Sequence, residues 1–290
     1  MSRRPAGPDG IAVVDKEAGW TSHDVVAKAR GVLGTRKVGH SGTLDPDATG
    51  VLVLGVGRAT RLLRFLTLLP KTYTCQILLG AETSSLDASG EVTAEHDMSA
   101  VTLDQVLEAS GRFLGEIHQI PPMVSAIKVD GRRLYEIARE GGEVEREARP
   151  VTVHRFEVTA SEDPLVYEAL IECSSGTYVR SLAADLGTAL GGGAHLDRLR
   201  RLSVGSFSVD EATSVEQVDL LPMAAAFRDN PGVVVDEEVA IEVGHGKILG
   251  LDRLGVSGEG PWPVHVADGS LVAVYEPHRG RAKPAVVLVG

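Results

Sequence analysis

The first 230 residues alternate strand-like and helix-like stretches without the regular strand–helix–strand succession that a parallel sheet needs. An α+β architecture is therefore expected, with a mixed, largely antiparallel sheet. GIAVVD at residues 10–15 reads as a short strand, and KEAGW as a turn. Thr21 or Ser22 can cap the helix that follows, whose apolar stripe is Val25, Val26, Ala29 and Leu33 and which Gly34 can end. VLVLGVG reads as a buried strand, RATRLLRFL as a helix with its arginines on one side, and KTYTCQILLG as a further strand. SSLDASG is a turn, with EVTAEH as its strand partner. Thr102 with Gln105 makes a capping box for a helix running to Phe113. Residues 121–142 read as strand, Asp-Gly turn and short helix; RPVTVHRFEV and LVYEALIEC are β-rich; GTYVRSLAADLGTALGGG is a strand end running into a helix; SVGSFSV is a strand.

Past residue 231 short valine-rich runs alternate with Gly and Pro, and ADGS suits a hairpin turn. Residues 232–290 are therefore expected to form a small all-β domain, residues 10–231 the main domain, and residues 1–9 a disordered lead. The two arginines of that lead are followed by no apolar stretch, so it does not read as a signal peptide. No run approaches the roughly 18 apolar residues of a membrane span. Cys75 and Cys173 lie far apart in strand-like runs and read as reduced core thiols, although a disulfide would also satisfy the sequence. The nine histidines show no metal-ligand spacing, and no metal is expected.

The net charge of −11 argues against a nucleic-acid partner until its distribution is considered. Residues 1–75 hold 11 Lys/Arg against 6 Asp/Glu, and Arg198, Arg200 and Arg201 form a second basic cluster. Phosphate binding depends on local basic surface, so the acidic total leaves RNA open.

Residues 35–50, TRKVGHSGTLDPDATG, have neither helical nor strand period and form a loop. Pro46 fixes its own φ and biases Asp45 toward an extended backbone, which would hold a carboxylate rigidly between packed elements. Asp-Pro and Asp-Ala-Thr-Gly are also ordinary turn chemistry. The residues alone thus leave Asp45 between a turn and a catalytic role.

This loop resembles the GHxGxLDPxATG signature of the TruB family of tRNA pseudouridine synthases. DKEAGWTSHDVV, KTYTCQILLG, PPMVSAIKVDGRRLYEIAREG, REARPVTVHRF, CSSGTYVRSLAADLG and GAHLDRLRRLSVGSF follow in the family's order. The resemblance spans about residues 10–210. One departure is Glu17, where the family usually has Pro after the Lys of its first motif. The C-terminal residues match less closely, and the family generally carries a PUA-like β domain there.

The resemblance implies that the chain is an isomerase converting uridine 55, in the T-arm loop of transfer RNA, to pseudouridine. Asp45 is then the essential carboxylate and nucleophile, and Arg180 of GTYVR its charge partner, expected to pull the Asp45 pKa down. Tyr73 is the ring partner of the flipped base. Tyr178 and Leu199 line the pocket, and His40 fills the space that the base leaves. Lys16, Arg36, Lys37, Arg58, Arg61 and Arg64 are candidates to track RNA phosphates, with an RNA-binding insertion near 118–150. Attack at C1′, addition to the base and assisted loss of a C2′ proton all use a carboxylate at this place. No atoms are gained, so no cofactor is expected. Nor is a membrane or an obligate protein partner: a cytoplasmic monomer is implied. Three other readings compete: a non-catalytic RNA-binding module on the same scaffold, a hydrolase using Asp45 and Asp47, and a guide-RNA-dependent relative. The last needs partners and usually carries tails that this compact chain lacks.

Overall fold

The computed structural model describes residues 7–123, 128–129, 132–133, 142 and 144–289. Strand β1 (Gly10–Lys16) is buried along most of its length. Helix α1 (Ser22–Val32) starts at Thr21, whose hydroxyl accepts from the Asp24 N–H at 3.1 Å while the Asp24 carboxylate accepts from the Thr21 N–H at 2.9 Å. That reciprocal box satisfies two backbone donors at the helix start. Val25, Val26 and Ala29 of α1 pack on Ala12, Val14, Leu52 and Leu54.

Strands β2 (Val38–His40) and β3 (Thr49–Val56) flank the aperiodic loop. A 3-10 segment, Gly57–Leu62, continues into α2 (Leu63–Thr67), and β4 (Lys71–Leu79) follows with alternating burial. Strands β5 (Ala81–Thr83) and β6 (Val92–Glu95) pair as an arm. The Thr102–Gln105 capping box opens α3 (Leu103–Gly111). Next come β7 (Gly115–Gln119) and the short pair β8 (Lys128–Val129) and β9 (Arg132–Arg133). Part of the insertion expected near 118–150, including the stretch read as a short helix, lies outside the described residues. Strands β10 (Arg149–Ala160) and β11 (Val166–Cys173), helix α4 (Val179–Ala189), and strands β12 (Ala194–Val204) and β13 (Phe207–Ser208) complete the first sheet.

That sheet runs β1-β3-β12-β4-β11-β10-β7, with β2 added to β3 and β13 to β12. Every pairing is antiparallel except β3 with β12. The expected mixed, largely antiparallel α+β sheet is what forms. One interior strand is a surprise. β12 carries LDRLRR, which has no strand-like alternation, yet it pairs on both sides. Two register shifts and a left-handed Arg198 (φ 49°) let the strand turn its arginines to specific partners.

The parallel contact is tight. Gly50 has φ 101°, and a Cβ there would stand 2.1 Å from the Arg201 carbonyl oxygen. Only glycine brings β3 this close to β12. Cys75 and Cys173 are buried free thiols on β4 and β11.

The C-terminal residues contain β14 (Val233–Val234), α5 (Glu237–Gly244), β15 (Leu249–Gly250), α6 (Leu251–Leu254), β16 (Trp262–His265), β17 (Leu271–His278) and β18 (Arg281–Val287). Their sheet runs β14-β16-β17-β18-β15. EEVAIEVG, grouped with the valine-rich strands by texture, is the helix α5. The Asp236 side chain caps it by accepting from the Val239 N–H at 2.8 Å, and Val239 and Val243, four apart, are buried on one face. Leu271, Val274, Val286 and Leu288 share one apolar cluster with Ile11, Val53, Phe65 and Phe227, so the two sheets are fused through a common core. The disordered lead expected for residues 1–9 is corrected at its end. Asp9 accepts from the Arg58 backbone N–H at 2.6 Å and its Nε at 2.7 Å.

Two glycine substitutions separate backbone strain from propensity. Gly50→Ala is expected to destabilise the protein by about 2–3 kcal/mol, through the clash and the positive φ. Gly31→Ala, in α1 with open space around it, should stabilise by about 0.5 kcal/mol. Urea unfolding of both variants measures this. Equal effects would refute the placement of β3 against β12.

Candidate active site

The loop between β2 and β3 is fixed at almost every residue. The Ser41 N–H donates to the Val53 carbonyl at 3.0 Å. Arg201 donates through Nη2 to the Gly42 carbonyl at 3.2 Å and through Nε to the Val51 carbonyl at 2.7 Å. The Ser22 hydroxyl accepts from the Leu44 N–H at 2.9 Å and donates to the Leu44 carbonyl at 3.1 Å. The Gly19 N–H and the Lys16 ammonium both donate to the Pro46 carbonyl at 2.9 Å. With Leu44 and Ala48 buried on either side, Asp45 is presented on a rigid bracket.

Lys16 is therefore not a phosphate contact. It is 1 % exposed, and its ammonium also donates to the Glu17 and Trp20 carbonyls at 2.9 and 2.7 Å. Burial pulls its pKa down to about 8, partly offset by Asp47 and Asp45. The carbonyls of a tight turn recruit the nearest cation, which bolts the turn to the loop.

Arg180 lies in the first turn of α4 and is 4 % exposed. Its Nε meets Asp45 Oδ2 at 3.1 Å, its Nη1 meets Asp87 Oδ2 at 3.4 Å, and Nη1 also donates to the Ser85 carbonyl at 3.0 Å. Asp87 is held by the Ser85 and Ser89 hydroxyls at 2.6 and 2.5 Å and by the Ser89 N–H at 3.1 Å. One guanidinium thus serves two carboxylates. The Asp45 pKa is raised above its ordinary value rather than lowered as expected. Burial outweighs Arg180, and Asp87 adds like-charge repulsion. The Asp45 side chain keeps 42 % of its surface open, toward the recess it lines.

That recess, about 290 Å³, is walled by Asp45, Arg180, Tyr73, Tyr178 and Leu199 together with Lys71, Arg201 and the loop Ser174–Thr177. Five expected site residues remote in sequence therefore meet in one cavity. Tyr73 is 8 % exposed on β4. A second recess of about 470 Å³ lies across Asp45, Arg180 and Leu199, bordered by Asp47, Asp87 and Arg198. His40 is not among the residues lining either recess; it ends β2, edge-on to His23 at 5.4 Å between centroids. Burial, then His23 and Arg201, push its pKa down to about 4, so its ring is neutral at pH 7.

The arginine row meets the C-terminal sheet while its side chains stay partly exposed. Arg58 donates to the Leu288 carbonyl at 2.6 Å and Arg61 to that of Val287, while Arg64 pairs with Glu276. The helical segment that carries them packs on the C-terminal sheet, where strand-end carbonyls and a glutamate take up their charge. Arg36 and Lys37 remain exposed before β2. Asp87, Ser22, Lys71 and Arg201 were not singled out for the site. Asp87 sits in a Ser-rich turn whose sequence signals only a turn. Among the described residues no cluster of His, Cys, Asp and Glu suits a metal ion, and no helix is long and apolar enough to cross a membrane.

The raised Asp45 pKa has a direct readout. Carbon-13 NMR of the labelled carboxyl should show it titrating above the ordinary 3.8. Asp87→Asn should move that titration to lower pH, because a like charge is removed. A titration below 3.8 in the wild type, or an upward move in the variant, would contradict this electrostatic balance.

The profile of the TruB family pseudouridylate synthase N-terminal domain matches residues 30–179, and that of the tRNA pseudouridylate synthase B C-terminal domain matches residues 180–237. The tRNA pseudouridine synthase B of Rhodococcus jostii is 48 % identical, over 97 % of this chain and 93 % of its own. That of Arthrobacter sp. (strain FB24) is 45 % identical over 96 % of both. Among solved structures, a Cbf5–Nop10–Gar1 complex superposes with a TM-score of 0.75 at 25 % identity, covering 97 % of this chain and 85 % of the other. An H/ACA RNP bound to a substrate RNA gives 0.71 at 22 % identity over 100 % and 92 %, a likeness of fold.

Proposed function

Because the chain belongs to the TruB family of pseudouridylate synthases, we propose that it isomerises uridine 55 in the T-arm loop of transfer RNA, with Asp45 as nucleophile. The observation that carries this reading is the Asp45–Arg180 pair at 3.1 Å, set in a recess that Tyr73 also walls.

The reaction breaks N1–C1′, turns the base and rejoins it through C5. No side chain can reach C1′ while the nucleotide is stacked, so the base first leaves the helix at a cost of a few kcal/mol. His40, neutral and beside the loop, fills the vacated space. The base lies on the Tyr73 ring, with Tyr178 and Leu199 closing the walls. Asp45 meets the electron-poor sugar carbon, as carboxylates do in glycoside cleavage. Arg180 aims it and keeps it ionised against burial. Nothing is oxidised or added, so the chemistry calls for no cofactor.

The substrate is read by shape and splayed loop bases. Arg36 and Lys37 track phosphates, whereas Lys16, Arg58, Arg61 and Arg64 serve the fold. Residues 10–231 form the catalytic domain and 232–290 a PUA-like β domain that extends the tRNA surface. The protein works as a cytoplasmic monomer.

Incubating unmodified tRNA with the pure protein and mapping pseudouridine chemically is the test. A single modified uridine at position 55 is expected; modification elsewhere, or none, overturns the proposal. Salt dependence tests the phosphate assignments. Replacing Arg36 or Lys37 by Ala should each reduce the slope of log Kd against log salt by about one, while Lys16→Met should leave the slope unchanged and lower stability by about 2–4 kcal/mol. A reduced slope for Lys16→Met would restore it as a phosphate contact.

A further inference from the structure

The recess holds more positive charge than binding Asp45 requires. Besides Arg180, Lys71 and Arg201 line it, and both are buried. Lys71 is 6 % exposed, and two of its three protons go to the Thr67 and Leu69 carbonyls at 2.5 and 2.6 Å. Among the described residues no third acceptor takes the remaining one. Tyr73 and Lys71 are i and i−2 on β4, so they share a face of the sheet about 7 Å apart. Arg201 stands opposite Tyr73 in the register of β12 and β4. A uracil lying on Tyr73, with its sugar at Asp45, would turn its far, oxygen-bearing edge toward Lys71.

We propose that Lys71, backed by Arg201, is a further catalytic residue, stabilising the negative charge that develops on the uracil as the N1–C1′ bond breaks. This rests on the function proposed above. The bonding pair leaves with N1, so the detached base is an anion whose charge spreads over N1, O2, N3 and O4. C1′ is left electron-poor beside the Asp45 carboxylate. A half-turn about the C6–N3 axis exchanges N1 with C5 and O2 with O4. A cation fixed beside that edge therefore meets an equivalent oxygen before and after the turn. C5 then supplies a π pair to C1′, the C–C bond forms, and the C5 proton is lost while N1 gains one, so the base ends neutral. A buried, fixed cation stabilises such a transient charge strongly.

Fluorine at C5 withdraws electrons and makes N1 a better leaving group, so it reduces the demand for the cation. Single-turnover loss of the glycosidic bond is therefore measured on T-arm RNA carrying uridine or 5-fluorouridine. Lys71→Met is expected to slow the uridine substrate by about 10²–10³-fold with unchanged RNA Kd, and to slow 5-fluorouridine roughly ten-fold less. Equal losses on both substrates, or no loss, overturn the proposal.

Lys71→Arg provides a second arm should Lys71→Met fail to fold. The groups that face Lys71 are Arg201 from β12, Cys173 from β11 and the carbonyls of Thr67 and Leu69. Burial and Arg201 bring the Lys71 pKa down to about 8, so the wild-type rate should fall as pH rises through that value. Arginine stays charged and should move the fall to higher pH; an unmoved alkaline limb overturns the proposal. A wild type that forms no pseudouridine would defeat the functional reading itself. A wild type that forms it, with Lys71→Met unaffected, defeats only the role of Lys71.

Discussion

Arg180 carries one charge and faces two carboxylates. Its Nε at 3.1 Å from Asp45 and its Nη1 at 3.4 Å from Asp87 join three segments: the loop after β2, the turn after β5 and the start of α4. Removing the guanidinium would leave two partly enclosed carboxylates repelling each other, and keeping it leaves Asp45 only partly neutralised. Burial is what chiefly raises the Asp45 pKa; Arg180 opposes it and Asp87 adds like-charge repulsion. Around the pair, Ser22, Lys16, Gly19 and Arg201 hold the loop by its backbone and leave the Asp45 side chain to the recess.

The sequence carried the elements whose stability is local. The Thr102 capping box forms as its spacing requires, Thr21 is the one of the two offered hydroxyls that caps α1, and β4 alternates as its pattern says. The strand β12 was hidden because its arginines break the alternation, and their partners, Val51, Gly42 and Asp15, are some 150 or more residues away. Charge is visible in a sequence, but the partner that neutralises it is not. For the same reason Lys16 looked like a phosphate ligand, whereas turn carbonyls consume its ammonium, and the contacts of Arg58 and Arg61 with the C-terminal strands could not be seen. The site was legible through family resemblance at Asp45, Tyr73, Tyr178, Arg180 and Leu199, which meet around one recess. Asp87 was not, because a carboxylate in SSLDAS looks like any turn until Arg180 is seen beside it.

The shared apolar cluster changes how the C-terminal residues are understood. Leu271, Val274, Val286 and Leu288 complete a core begun by Ile11, Val53 and Phe65. Removing the C-terminal sheet would expose these side chains at roughly 25 cal/mol per Å² of apolar surface. The sheet therefore supports β3 and, through β3, the bracket that carries Asp45.

The central claim is that the Asp45 carboxylate performs the chemistry and does not merely hold the loop. Asp45→Asn keeps the shape and removes the charge. Measured with unmodified tRNA, the variant should bind with wild-type affinity and form no pseudouridine at any time point. Pseudouridine formation at the wild-type rate by Asp45→Asn would contradict the account.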